Sequence, residues 1–394
     1  MKWMVQRAKL DSDQEELITR HIRGGSGNVW IKGHAGSGKS VLMVHGLRDK
    51  LVENKNLRVG VVLFTRALVD LIRTGLDELG VEKEFGVRVP VMTYYELQKT
   101  SQEFDLLFCD EVQDLPSSMI TLLRAKAKRV IVAGDSQQSI FTHDPQTREP
   151  VVKPEEIGAL LGGQSHELPT IYRLTRSIIK MVSSLIGGTI LGARRDATKL
   201  DVQVRLGYTN DVAREIKYVW RESSKRAQAS ESTVILLPFR ENIAAFCNAI
   251  LTLNSKPAWT VVPDRWGKNE DFAAMNRHLE SQGIKLEYIG NGVGSLDGAY
   301  TNHRVAVMTY HSSKGLDYEN VYLPWVSAGL HLNGGGKDKT LFMVAMTRSR
   351  KNLVLTYCGT RSSMVDTLAG DCTMFEITDA PTATAQPQAA TYDF

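Results

Sequence analysis

Residues 33–40 read GHAGSGKS and fit the spacing G-x-x-x-x-G-K-[ST]. The chemistry of that string is the cradling of phosphates. Gly33, Gly36, Ser37 and Gly38 let backbone amides turn inward around a polyphosphate, and Lys39 reaches its β and γ groups. The Ser40 hydroxyl can ligate Mg²⁺. A second acidic string, Asp110-Glu111-Val112-Gln113-Asp114, follows the apolar run FDLLF at 104–108. Carboxylates at the end of a parallel strand beside such a loop stand where Mg²⁺ and an attacking water need them. Residues 33–40 alone fit any enzyme or switch that holds a nucleoside triphosphate.

The elements that must position these groups are legible from periodicity. A short apolar run at 28–32 precedes the loop, and Val41, Leu42, Val44, Leu47 and Leu51 recur after it at helical spacing. Leu10 to Ile18 reads as a capped helix containing Gln14. Strands are expected at 59–64, 104–108 and 129–133, with a helix marked by Ala67, Leu68, Leu71, Ile72, Leu76 and Leu79. A second series has strands at 234–237, 284–289, 305–308, 321–323 and 353–357 and helices at 241–253, 271–282 and 341–349. Alternating strands and helices imply an α/β fold with parallel sheets covered on both faces. The 394 residues favour two domains. The expected division is a first domain at 1–150, a Pro-rich linker at 151–169, a second domain at 170–376, and a disordered Ala/Thr/Pro/Gln-rich tail at 377–394.

Composition narrows the class further. A formal charge of +4 permits a nucleic-acid partner without requiring one. Four cysteines without a CxxC pair point to buried thiols in a reducing compartment, and no run approaches a membrane span. A cytoplasmic location without a membrane partner is the expectation.

The order of the motifs resembles the UvrD/Rep-like superfamily 1 helicases over most of residues 9–358. GHAGSGKS resembles motif I, VLFTRALV (62–69) motif Ia, VMTYYEL (91–97) the TFHS-like motif, DEVQD (110–114) motif II and GDSQQSIF (134–141) motif III. ELPTIYRLTRS (167–177) resembles motif IV, VMTYHSSKGLDYENV (307–321) motif V and FMVAMTRSRKNL (342–353) motif VI. The resemblance implies two tandem RecA-like P-loop NTPase domains with an ATP cleft between them. It assigns adenine to Gln14 and Tyr172, and Mg²⁺ to Ser40 and Asp110. It makes Glu111 the base for the attacking water, Gln138 the γ-phosphate sensor, and Arg173 and Arg348 the arginines that meet ATP across the cleft. Gly315 and Asp317 join the nucleotide set, Asp317 standing where a ribose-contacting glutamate usually lies. A single strand would pass over Thr65, Thr93, Thr309 and His311 as phosphate contacts and Phe64, Tyr94 and Phe141 as stacking faces, with core packing a competing role for each ring.

Five departures from the family shape the expectation. Only a short loop and one strand separate Leu97 from Asp110, and Glu241 to Thr301 has room only for core elements, so the two large inserted domains are missing. His143 replaces the motif III tryptophan, Asp144 the arginine after it, and Val41 the arginine often found after motif I. The implied function is an ATP-dependent translocase or helicase on single-stranded DNA, moving 3′ to 5′ and unwinding weakly or with a partner. The alternatives are an ATP-dependent switch or motor subunit of a nuclease, defence or repair complex, and a helicase directed to RNA.

Overall fold

Apolar runs such as VGVVL at 59–63 are buried at every position, which a strand achieves only inside a sheet covered on both faces. The computed structural model describes residues 3–187, 194–195, 201–264, 270–332 and 336–379. Its first sheet contains β1 (Val29–Gly33), β2 (Val59–Leu63), β3 (Val91–Thr93), β4 (Phe104–Cys109), β5 (Ala127–Gly134) and β6 (Gln164–Leu168). The strand order is β3-β2-β4-β5-β1-β6, and every pair is parallel. A short pair, β7 (Thr170–Ile171) and β8 (Arg194–Arg195), follows. The second sheet contains β9 (Gln203–Thr209), β10 (Thr233–Leu237), β11 (Leu286–Tyr288), β12 (Val305–Thr309), β13 (Tyr318–Leu323), β14 (Ser349–Cys358) and β15 (Thr373–Glu376). Its order is β11-β12-β10-β13-β14-β9-β15, again all parallel. Two parallel sheets in an α/β fold are what the alternating pattern predicts, and they are consistent with the tandem RecA-like domains that the resemblance implies.

The interval read as a linker is largely built into the first domain. Ile157 and Leu161 are fully buried on the helix Ile157–Leu161, and β6 pairs with β1 from Gln164 to Leu168. Pro154 sits in the turn before that helix, and Pro169 lies between β6 and β7. Past Pro169 the chain runs through β7 and the helix Arg176–Ile186 before the second sheet begins at Gln203. At the other end β15 adds an edge strand, and Ile377, read as the first tail residue, is buried and donates its N–H to the Tyr208 carbonyl at 2.8 Å. Residues 380–394, the rest of the expected tail, lie outside the described residues. Cys109 and Cys247 are buried free thiols. Among the described residues no helix is long and apolar enough to cross a membrane.

Gln14 lies on the helix Ser12–Glu16, which opens with a capping box between Asp11 and Gln14 and runs directly into a π-helix, Leu17–Arg23. The carbonyls at the end of that π-helix are tied by Arg129 of β5. Its guanidinium donates to Ile22 O at 2.6 Å, to Gly27 O at 2.8 Å and to His21 O. Removing a buried donor leaves each acceptor to be desolvated without a partner. Arg129→Met is expected to destabilise the protein by about 3 kcal/mol, measured as a lower urea midpoint by tryptophan fluorescence; an unchanged midpoint would mean that water satisfies these carbonyls.

Candidate nucleotide and nucleic-acid site

The phosphate loop leaves β1 at Gly33 and enters the helix Lys39–Glu53. Gly36 and Gly38 have φ of +77° and +89°, which residues with a Cβ rarely adopt. No side chain caps the helix start, so its first amides are free for an anion. Lys39 Nζ donates to Gly33 O at 2.8 Å and His34 O at 3.1 Å, holding the ammonium at the loop mouth. The Ser37 hydroxyl is buried with no partner. An orphaned hydroxyl, free amides and a lysine in one loop fit a polyphosphate.

Ser40 Oγ donates to Asp110 Oδ2 at 2.6 Å, which brings two oxygen ligands together as Mg²⁺ requires. Among the described residues no cluster of three or more His, Cys, Asp or Glu side chains could hold a metal. A site with so few protein oxygens suits Mg²⁺, which takes its other ligands from phosphates and water. Burial and the adjacent Glu111 charge push the Asp110 carboxyl up to about 6. A divalent cation there would favour the ionised form.

Glu111 sits in the left-handed region at φ +58°, a strained conformation for a residue with a long side chain. Gln113 Nε2 donates to its Oε2 at 2.6 Å, and Lys314 Nζ lies 3.4 Å from the same oxygen. Burial works to raise the Glu111 carboxyl, yet the charges of Lys314 and Lys39 and the Gln113 amide hold it below the ordinary glutamate range. Glu111 is thus kept ionised while buried.

Lys314, a residue that the sequence reading passed over, is the centre of this arrangement. It is 2% exposed, comes from the loop after β12 in the second domain, and donates to Asp114 Oδ2 and to the Gln138 carbonyl of the first. Burial pushes Asp114 up to about 6 in spite of that cation. Arg348, fully buried, donates from Nη2 to Gln138 Oε1 at 3.1 Å and is fixed by Val344 O at 2.8 Å and Leu316 O at 3.0 Å. Burial and the charge of Arg173 lower its guanidinium to about 9. In the string Lys314 is a lone cation between Ser313 and Gly315, and nothing in that spacing sets it apart.

Residues just past Pro169 lie directly on the loop. The N–H groups of Tyr172 and Arg173 both donate to Gly36 O, at 2.9 and 3.2 Å. A Cβ on Gly36 would fall 2.2 Å from Arg173 Cβ. Gln14 Nε2 donates to Ser37 O at 3.1 Å while its Oε1 accepts from Asp11 N at 3.2 Å, so it is no solvated helix glutamine. Two members of the expected nucleotide set also make contacts within the protein. Asp317 stands between Arg173 and Arg350, at 3.7 and 3.5 Å, its carboxylate engaged by guanidinium groups. Gly315 lies against the first domain, where an added Cβ would meet Leu68 at 2.5 Å; its lack of a side chain permits the domain contact.

The expected nucleic-acid residues form a chain of rings across the domains. Phe141 lies 5.1 Å from Phe64 and 5.6 Å from His311, centroid to centroid. Tyr94 does not offer a stacking face: it is fully buried, packs on Phe64 at 5.3 Å and donates its hydroxyl to Asp144. The turn explains why Asp144 stands here in place of arginine, because the same carboxylate accepts the amides of Gln146 and Thr147 at 2.9 and 2.7 Å. His143 is exposed beside it. The threonines are engaged in local structure. Thr65 Oγ accepts from Leu68 N at 3.3 Å, Thr93 Oγ donates to Glu96 at 3.0 Å, and Thr309 Oγ donates to Ser312 Oγ at 2.9 Å. A phosphate would share or replace those bonds. Burial and nearby Lys314 lower the His311 pKa, which favours the neutral ring.

A phosphate loop on one parallel sheet, met across a cleft by buried cations from a second, defines a two-domain P-loop NTPase core. The chain belongs to the family described as "Schlafen group 3, DNA/RNA helicase domain", whose model matches residues 27–258. The model of the UvrD-like helicase C-terminal domain matches residues 271–360. Over 66 residues the chain is 39% identical to the ATP-dependent DNA helicase Rep of Buchnera aphidicola subsp. Schizaphis graminum, a match spanning 15% of this chain and 10% of that protein. Among solved structures it is similar to the helicase nonstructural protein 10 of an arterivirus, 14% identical over 91% of this chain and 64% of that one, with a TM-score of 0.42. The PRRSV helicase is 12% identical over 87% and 54% of the two chains, with a TM-score of 0.41.

Lys314→Met would leave Asp114 and Glu111 buried without their cation and is expected to cost about 3–5 kcal/mol of stability. Adding Asp114→Asn should recover a large part of that loss in thermal unfolding. ATP turnover should stay low in both variants; full turnover in either would show that the lysine has no part in the site.

Proposed function

We propose that this protein is an ATP-hydrolysing motor that moves along single-stranded nucleic acid. The observation that carries this reading is the hydrogen bond between Arg348 of the second domain and Gln138 of the first, because it makes the nucleotide site sensitive to domain closure. When bound, ATP with Mg²⁺ supplies the phosphoanhydride whose cleavage drives the cycle. The residues do the rest. Lys39 and the loop amides bind the phosphates, and Ser40 and Asp110 hold the metal. Glu111 Oε2 is fixed by Gln113 and faced by Lys314, so Oε1 is left to take a proton from the attacking water. Arg348 and Arg173 stabilise the negative charge that develops as the bond breaks, an effect worth about 10³-fold or more in rate. Gln14 and Tyr172 flank the loop on the side we assign to adenine.

Movement follows from coupling that closure to the ring chain of Phe64, Phe141 and His311. DNA as the strand and 3′ to 5′ travel are the finer reading, supported by the resemblance of the motif III string GDSQQSIF to the UvrD/Rep-like helicases. Unwinding is expected to be weak or partner-dependent, since Leu97 and Asp110 are joined by little more than β4 and no large accessory domain fits there. That brevity also favours a second reading, a nucleotide-gated subunit of a nuclease or defence complex.

ATP turnover with and without oligothymidylate and oligouridylate tests the motor, and tailed duplexes of either polarity test its direction. Stimulation at least about tenfold by one of the two strands is expected, with Glu111→Gln lowering turnover by about 10³ while retaining ATP binding. No stimulation by any nucleic acid would exclude the motor, and turnover appearing only with a co-purified protein would favour the second reading.

A further inference from the structure

Gln138 and Phe141 are three positions apart, yet one faces the nucleotide site and the other the ring chain. Every residue between and including them is anchored. Gln138 takes Arg348 on its side chain and Lys314 on its carbonyl. Ile140 N donates to Asp114 Oδ1 at 3.3 Å. The two remaining anchors come from one residue: Lys337 Nζ donates to Ser139 Oγ at 3.0 Å and to Phe141 O at 2.7 Å. Asp114 belongs to the first domain, and all three cations belong to the second.

Lys337 and Arg348 are joined by a stiff element. Lys337 is the N-cap of the helix Asp338–Met346, and Arg348 follows its far end by two residues. Six residues of that helix are buried, and at 1.5 Å per residue it spans about 14 Å. Its position sets both cations at once. Any motion of the second domain that withdraws Arg348 from Gln138 also withdraws Lys337 from Phe141.

We propose that Lys337 is a positioning residue that couples strand engagement to ATP turnover, by holding Phe141 in register with Phe64 and His311 whenever Arg348 holds Gln138. Both acceptors of its ammonium are uncharged, so the contact fixes geometry and neutralises no carboxylate. The proposal rests on the motor reading above, and its failure is separable from failure of that reading.

The test compares Lys337→Met and Lys337→Arg with the wild type for basal turnover, turnover with oligothymidylate or oligouridylate, the salt dependence of oligonucleotide binding, and thermal unfolding. Lys337→Met is expected to keep basal turnover within about twofold and to lose about tenfold in stimulation, with Lys337→Arg restoring at least about half of it. The salt slope should not change. Undiminished stimulation in Lys337→Met would overturn the proposal, as would a parallel fall of basal and stimulated rates that arginine does not repair. A slope smaller by about 0.7 would make Lys337 a phosphate contact and overturn it too. A wild type that no strand stimulates would overturn the motor reading and this proposal together.

Discussion

An ammonium group that is 2% exposed must be ligated on every side, and Lys314 meets that demand with groups from the other domain. Taking such a charge out of water costs several kcal/mol unless its partners are in place. The domain contact therefore has a polar requirement beside its apolar one. Asp114, Glu111 and the Gln138 carbonyl must present oxygens together, or the lysine has no reason to leave water. The left-handed backbone at Glu111 and the Gln113 amide beside it fit this picture, since both hold a carboxylate where the lysine arrives. The nucleotide site and the domain interface thus share the same atoms.

Much of this was legible in the sequence, and the limits have physical causes. The strand 59–63 is buried throughout and 104–109 is apolar but for Asp105, because both sheet faces are covered, so they could be found without knowing their neighbours. The strand at 164–168 could not: QSHEL is an edge strand with only Leu168 buried, and its pairing with β1 depends on a partner far away in sequence. Prolines around it made the interval read as a linker. The strand 203–209 and the edge strand 373–376 were missed for related reasons, since polar residues interrupt both.

The site divided along a similar line. Residues whose role is written in a local string, Lys39, Ser40, Asp110, Glu111 and Arg348, lie together in the folded chain. Residues whose role depends on what lies opposite were misjudged. Tyr94 is a ring in a motif, but Asp144 lies over its hydroxyl and the side chain is interior. Gly315 sits in a nucleotide motif, but a Cβ added there would meet Leu68 of the other domain. Lys314 was overlooked because a single lysine in a motif offers no spacing to measure. Only its burial against two carboxylates marks it out.

Leu168 ends the last strand of the first sheet, Pro169 follows, and Thr170 opens the short β7-β8 pair that precedes the second sheet. One apolar core also runs without interruption through both domains, from Ile31 and Leu68 to Leu316 and Phe342. A joint built this way has one covalent pin and a continuous adhesive face. Rotation about the pin separates surfaces in proportion to their distance from it, so contacts beside Pro169 loosen last and those at the far rim first. Tyr172 and Arg173, bonded to Gly36 next to the pin, would then stay with the phosphate loop through most of an opening. An opening of that kind would peel, its free edge travelling furthest.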